Sequence, residues 1–456
     1  MLVVLSDLHF SEAQSTQIGP YRFNRNLPSE AYQSYFQEIN QLARANAIEK
    51  IDLVLAGDIL EISRSEIWLD EGQRPYLNNE DIEPSSETEK TILKIMEAIE
   101  KEDKVSETLR LFRNIKDHFD VEVELHLILG NHDRLINATT NTRQKFKKMF
   151  GCELSDLPVD YYLIIYDIEK KPFALIRHGH EYDLTNFSMN VEKLEEIPTH
   201  IPDKFYRQSS LGDITTSEFG TTLPWLFVET YGENAILNDQ TLLAIYKRLM
   251  EFDDVRPTTA WLSYLFSTPG VKKQETWEII KPLFTQIVNT LSDHEQFNQT
   301  LKQSQTISKF GRMLLMGLLK SGLFKKGIPY WLIKRIMKIV ARSIKVKSQA
   351  KWAKKEALIR DKKSGCQIVI SGHSHFSEVT LISAEKGQER YYINTGTWRN
   401  VIPATKNFKD FGRLKALTKV IIFKPGETET LEGNRQWAFH YMSGVSFGDH
   451  RHLNFQ

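Results

Sequence analysis

Cysteine is nearly absent: the 456 residues contain only Cys152 and Cys366. Two thiols make no disulfide framework, so the chain must fold on its apolar core, and a reducing compartment is the expected setting. Excess charge is absent too. Lys plus Arg equals Asp plus Glu at 59 each, so no global field directs the chain to nucleic acid or membrane, and any such patch has to be local. No apolar run reaches the roughly 18 residues that a spanning helix requires. The opening MLVVLSDLHF lacks a basic leader, and its apolar run covers only residues 2–5, which reads as a buried strand and not a signal peptide. The expected location is the cytoplasm. What is present is ordinary globular usage, 41% hydrophobic and 26% charged, which excludes collagen-like, disordered and disulfide-miniprotein classes. At about 150 residues per domain, the length allows about three domains or one large domain with insertions.

The first 180 residues or so alternate short apolar runs with amphipathic stretches. The runs are 2–6, 51–56, 121–129, 161–166 and 173–177. Residues 30–48 between the first two are helical by the spacing of Tyr32, Tyr35, Phe36, Ile39 and Leu42. Residues 87–119 carry Ile92, Ile95, Met96 and Ile99 on one stripe. Strand, helix, strand in repetition predicts an α/β sheet. Strand character returns at 367–371, 379–383, 391–394 and 419–423. The middle, from about residue 184 to about 359, has helical stretches at 222–231, 235–252, 276–291 and 310–346. It reads as a mostly helical insertion, which places the discontinuous α/β domain at 1–183 and 364–456 and the insertion at 184–363. Between Glu295 and Glu356 there is no acidic residue, against 15 Lys and Arg.

Polar clusters fall where apolar runs end. Residues 2–6 lead into Asp7-Leu8-His9, and 51–56 into Gly57-Asp58. Residues 121–129 lead into Gly130-Asn131-His132-Asp133, 173–177 into His178-Gly179-His180, and 367–371 into Gly372-His373-Ser374-His375. Ligands of open α/β sheets collect outside the carboxyl ends of strands, so five such ends can converge on one point. Asp, Asn and His without thiolate suit divalent Mn, Fe, Zn, Ni or Co better than a structural zinc. The donors are too many for one ion. Two ions sharing a carboxylate would clamp a phosphoryl group and lower the pKa of a bridging water. His118, His126 and His200 match no block and read as structural.

This ordered set resembles the calcineurin-like metallophosphoesterase superfamily, whose pattern is Asp-x-His, Gly-Asp, Gly-Asn-His-Asp/Glu, His before Gly, and Gly-His-x-His. The resemblance covers residues 1–183 and 364–425. It implies a four-layer α/β/β/α sandwich carrying the large helical insertion. It also implies that Asp7, His9 and His375 bind one metal, that Asn131, His178 and His373 bind the other, and that Asp58 bridges them. Two divalent ions are implied, with manganese favoured. His132 would face the substrate and protonate the leaving oxygen while a metal-bridging hydroxide attacks phosphorus. Asp133 would orient its own loop, and His180 would steady a ligand or simply sit in the loop. The segment 394–399 resembles an Asn-x-Gly turn that packs near the site in the family; there Trp398 reads as core and Arg399 as a weaker candidate for reaching a phosphate.

The implied activity is hydrolysis of a phosphomonoester, phosphodiester or pyrophosphate in a phosphorylated small molecule, nucleotide or lipid. The second block lacks the Asp-Arg-Gly continuation of the Ser/Thr phosphatases, which disfavours a protein substrate. Gly57-Asp58-Ile59-Leu60-Glu61 looks more like the bacterial UDP-diacylglucosamine pyrophosphohydrolases, but those have Arg where His132 stands and are about half as long. The basic amphipathic stretch 310–346 reads either as a face packed on the main domain, as an anion contact, or as a peripheral membrane contact. The alternatives to a phosphoesterase of small substrates are a non-catalytic scaffold of the same fold that binds a protein partner, and a nuclease of the same superfamily.

Overall fold

The computed structural model describes residues 1–77, 81–293, 295, 297–298, 329–331, 333, 335, 348–385, 388–427 and 437–443. The apolar runs of the first half become β1 (Leu2–Leu5), β4 (Lys50–Ala56), β5 (Glu122–Ile128), β6 (Tyr162–Tyr166) and β7 (Pro172–Arg177), with a small hairpin, β2 (Gln17–Ile18) and β3 (Tyr21–Arg22), between the first two. The later strands are β8 (Val255–Arg256), β9 (Ile368–Ser371), β10 (Ser377–Glu385), β11 (Gln388–Thr395), β12 (Trp398–Pro403), β13 (Leu414–Leu417), β14 (Lys419–Phe423) and β15 (Ala438–Met442).

Two five-stranded sheets result, in the orders β15-β14-β1-β4-β5 and β10-β11-β9-β7-β6. The central strands are continuously apolar because both faces of each sheet are covered. Alternate residues point opposite ways. Val4, Val54 and Ala56 therefore meet Ile176 and Ile370 between the sheets. Val3, Leu53 and Leu55 pack under helices Ser29–Ala45, Glu87–Lys101, Asp103–Arg113 and Thr140–Met149. Leu175 and Val369, on the outer face of the second sheet, pack against Ala350, Ala353 and Ile359 from two short helices. The layers run helix, sheet, sheet, helix, as the four-layer reading expects.

The stretch 87–119 is two helices and not one. Glu102 is extended (φ −65°, ψ 131°) and its side chain accepts from the Val105 amide, so it caps the second helix while ending the first. Asp239 divides 235–252 in the same way, accepting from the Thr241 and Leu242 amides. Helices Leu211–Ser217, Leu223–Tyr231, Gln240–Met250 and Lys273–Asp293 gather a separate core around Ile214, Phe227, Leu249, Trp277 and Ile280. β8 stitches this helical body to the main domain by pairing with β12, Val255 against Ile402 and Arg256 against Pro403. Most of 310–346 lies outside the described residues. Among the described residues, no helix is long and apolar enough to cross a membrane.

Candidate metal centre

β1, β4 and β5 run parallel in one sheet, and β7 and β9 run parallel in the other. Their carboxyl ends open on the same side, and the register carries on past them. The Asp7 amide donates to the Gly57 carbonyl at 3.0 Å and the His9 amide to the Asp58 carbonyl at 2.9 Å. The second sheet is tied in when the His373 amide donates to the Asp7 carboxylate at 3.0 Å. Asp7, His9, Asp58, His373 and His375 all hold left-handed φ, between 48° and 66°. Non-glycine residues rarely adopt that region, and strain of this kind of about 1–3 kcal/mol per residue persists where surrounding contacts fix it. The glycines beside them leave room for the ligand side chains. A Cβ on Gly57 (φ +86°) would run into the His178 ring, and one on Gly372 into Asp7 and Ser6.

Two groups of donors form. In the first, His375 Nε2 lies 3.2 Å from Asp7 Oδ1 and 3.2 Å from His9 Nε2. In the second, His178 Nε2 lies 3.1 Å from Asp58 Oδ2, and His373 completes the group. Asp58 spans the two, since its Oδ2 is also 3.7 Å from His9 Nε2. His178 Nδ1 donates to the Ala56 carbonyl at 2.9 Å, which turns the bare Nε2 toward Asp58. His178 Nε2 and Asn131 Oδ1 are buried and make no hydrogen bond. Buried acceptors are rarely left so, and a cation is the partner that fits them. Oxygen and imidazole donors of this kind suit hard or borderline divalent ions.

The buried charges act on one another. Burial opposes charge on Asp7, but the His375 and His178 rings outweigh it and hold the carboxyl well below its usual range. Burial likewise opposes charge on Asp58, and His178 and His132 overcome it. His178 itself is pushed up to about 10, Asp58 and Asp7 prevailing over burial. His375 is held down to about 3 by burial and by the Arg256 guanidinium.

His132 sits at the edge of this cluster, its ring 4.8 Å from that of His9. Its Nδ1 faces Glu61 Oε1 at 2.6 Å, and burial is outweighed by Glu61 and Asp58, which push it up to about 10. Asp133 accepts from the Ile59 amide at 2.7 Å and the Gly130 amide at 2.6 Å, tying its loop to the Gly57-Asp58 loop. His180 is buried 5.4 Å from the His178 ring and is held down to about 3 by burial. Thr397 donates to the Asp7 carbonyl at 2.8 Å, and Trp398 packs on Tyr32 and Tyr35 as core. Arg399 does not reach toward a phosphate. It is 1% exposed and committed to Asp253 and Asp254.

Four contacts were not legible in the sequence as site chemistry. Glu61 holds both His132 and His9, the latter through Nδ1 at 2.8 Å. Asp183 Oδ2 lies 3.2 Å from His373 Nε2. Arg256 Nη2 lies 2.6 Å from His375 Nδ1, and Asp253 stands behind Arg64 and Arg399. Glu61, inside the second block, carried a signal that could have found it, and Asp183, just after the His178 block, reads in the sequence as a weaker candidate of the same kind as His180. His118, His126 and His200 lie elsewhere, against Phe36, Asp52 and Tyr162 respectively.

The family model for calcineurin-like phosphoesterases matches residues 1–249. The chain belongs to the calcineurin-like phosphoesterase family. The matched span holds four of the five blocks and runs on past residue 183 into the helical body. His373 and His375 lie beyond it and arrive because β9 pairs with β7. No curated protein matches the chain. Family membership and the clustered donors together support a metal-dependent phosphoesterase at the level of the superfamily.

Proposed function

We propose that this chain hydrolyses a phosphate ester with the help of two divalent ions, manganese favoured. Asp7, His9 and His375 would hold one ion and Asn131, His178 and His373 the other, with Asp58 between them. The observation that carries this reading is the pair of buried acceptors without hydrogen bonds, Asn131 Oδ1 and His178 Nε2, beside an Asp58 carboxylate that reaches both groups. Bound there, the ions would supply Lewis acidity to phosphoryl oxygens and a water of lowered pKa.

The protein's own residues do the rest. Glu61 anchors His132 by Nδ1, which leaves Nε2 as the nitrogen that hands a proton to the leaving oxygen. The Glu61 carboxylate favours the charged form of the His132 ring, the form that can act as an acid in that step. Asp133 keeps the two loops in register, so the proton donor and the bridging carboxylate move as one unit. The substrate in this reading is a phosphorylated small molecule, nucleotide or lipid met in the cytoplasm, and the basic stretch 310–346 contacts an anionic ligand or membrane surface.

The test is metal content by mass spectrometry together with hydrolysis of a chromogenic phosphate monoester and the matching diester, with and without added Mn²⁺. Two metals per chain and metal-dependent turnover are expected, and the preferred ester sets the substrate class. A chain that binds no metal and turns over neither ester would instead be a scaffold of this fold.

A further inference from the structure

The helical body sends one charged turn to the back of the metal centre. Asp253 is the middle residue of a short 3-10 turn, Phe252–Asp254, and Arg256 lies in β8, where the body is stitched to β12. Asp253 Oδ2 is 2.7 Å from Arg64 Nη1 and 2.6 Å from Arg399 Nη1, and its Oδ1 is 3.8 Å from Arg256 Nη2. Asp254 adds one contact to Arg399 at 3.2 Å. All three guanidiniums are buried. One arm leads from this turn to the donors. Arg64 Nη1 stands 4.0 Å from Glu61 Oε2, the oxygen that holds His9 Nδ1 at 2.8 Å.

We propose that Asp253 positions the half of the centre built on Asp7, His9 and His375, so that the helical body is part of the metal site and not only a cover over it. The inference rests on the two-ion reading above. Its physical basis is competition for carboxylate. Arg seeks a planar carboxylate partner, and three buried guanidiniums packed together must share what is present. Asp253 engages Arg64, so Glu61 stays with the His9 and His132 imidazoles. Without Asp253, Glu61 is the carboxylate nearest Arg64, and it would be drawn off both rings. The other half of the centre receives no such arm. His178 is held by the Ala56 carbonyl, and His373 faces Asp183 and Asn186. The effect is therefore one-sided, which general loosening of the fold would not produce.

Asp253→Asn and the double variant Asp253→Asn/Arg64→Met, each in the full chain, test this by Mn²⁺ titration with mass-spectrometric stoichiometry, melting temperature, and turnover of monoesters with good and poor leaving groups. The expected result is two Mn²⁺ in the wild type. In Asp253→Asn one should be retained at wild-type affinity and one bound at least tenfold more weakly. In the double variant, where no freed Arg64 competes for Glu61, both should return to within threefold of wild type. In Asp253→Asn the poor-leaving-group ester should lose at least tenfold more turnover than the good one, because His132 loses its anchor. Asp253→Asn keeping both Mn²⁺ at wild-type affinity would overturn the proposal, whatever its melting temperature. Should Asp253→Asn alone fail to fold, the double variant decides, and a weakened Asp7 half there would overturn the proposal. A wild-type chain that binds fewer than two Mn²⁺ would overturn the two-ion reading itself, and this inference with it.

Discussion

Five candidate ligands sit at left-handed φ, a conformation that no propensity scale favours for Asp or His. The backbone holds them there through amide contacts across loops, such as His9 to Asp58 and His373 to Asp7, so the geometry belongs to the assembled site and not to any one residue. Two outcomes follow at this scale. Gly372→Ala puts a methyl against Asp7 and Ser6, where overpacking of this sort costs about 1–3 kcal/mol. Its melting temperature should fall, and Mn²⁺ stoichiometry should show the Asp7 half weakened. His132→Ala removes a proton donor but no ligand. It should keep both metals and lose about 10²–10⁴-fold in turnover on poor leaving groups, with less loss on good ones. Unchanged steady-state turnover of a poor-leaving-group ester would remove His132 from that role.

Elements carry the site by where they stop. The Gly130–Asp133 loop leads through a short 3-10 turn to helix Thr140–Met149, whose capping box pairs Thr139 with Thr142. Thr139 Oγ1 also donates to Glu89 on a neighbouring helix, so one hydroxyl serves cap and contact. Thr139→Ala should therefore cost about 1–2 kcal/mol, at the upper end for a lost cap, measured by urea unfolding. Turnover should change little, because Asp133 holds the catalytic loop independently. The core strands were legible to within about three residues, since a run such as 51–56 is apolar on both faces only when sheets are covered on both sides, but β2, β3, β8, β12, β13 and β15 were not read. The break at Glu102 was not, because Lys101-Glu102-Asp103 has no Gly or Pro to announce it and the cap is a side-chain contact.

The whole molecule adds charge that no single motif reports. Glu66 lies among Glu12, Arg25 and Asp70, and burial, with Glu12 and Asp70 repelling, pushes its carboxyl up to about 8 against the pull of Arg25. The protonated form is the one the fold prefers. Its contribution is thus whole below about pH 4.5 and shrinks as pH rises through about 8, by at most about 1.4 kcal/mol per unit. Unfolding free energy measured from pH 5 to 9 should show this decline, and Glu66→Gln should flatten it. A variant whose pH profile matches the wild type would exclude Glu66 as the source.

The sequence by itself named the candidate donors. Asp, Asn and His placed where apolar runs end have few other uses, and their order along the chain already matched the family, so Asp7, His9, Asp58, Asn131, His178, His373 and His375 could be named before any fold was seen. It also determined the core strands, because period and apolarity are local properties. Only the tertiary structure decided what stands behind the donors. Glu61 turns to His9 and His132, Arg256 reaches His375 from about 120 positions away, and Arg399 pairs with Asp253. Those are contacts between charged side chains distant in sequence, and a charged side chain takes its partner from whatever the packing of the two bodies brings within reach.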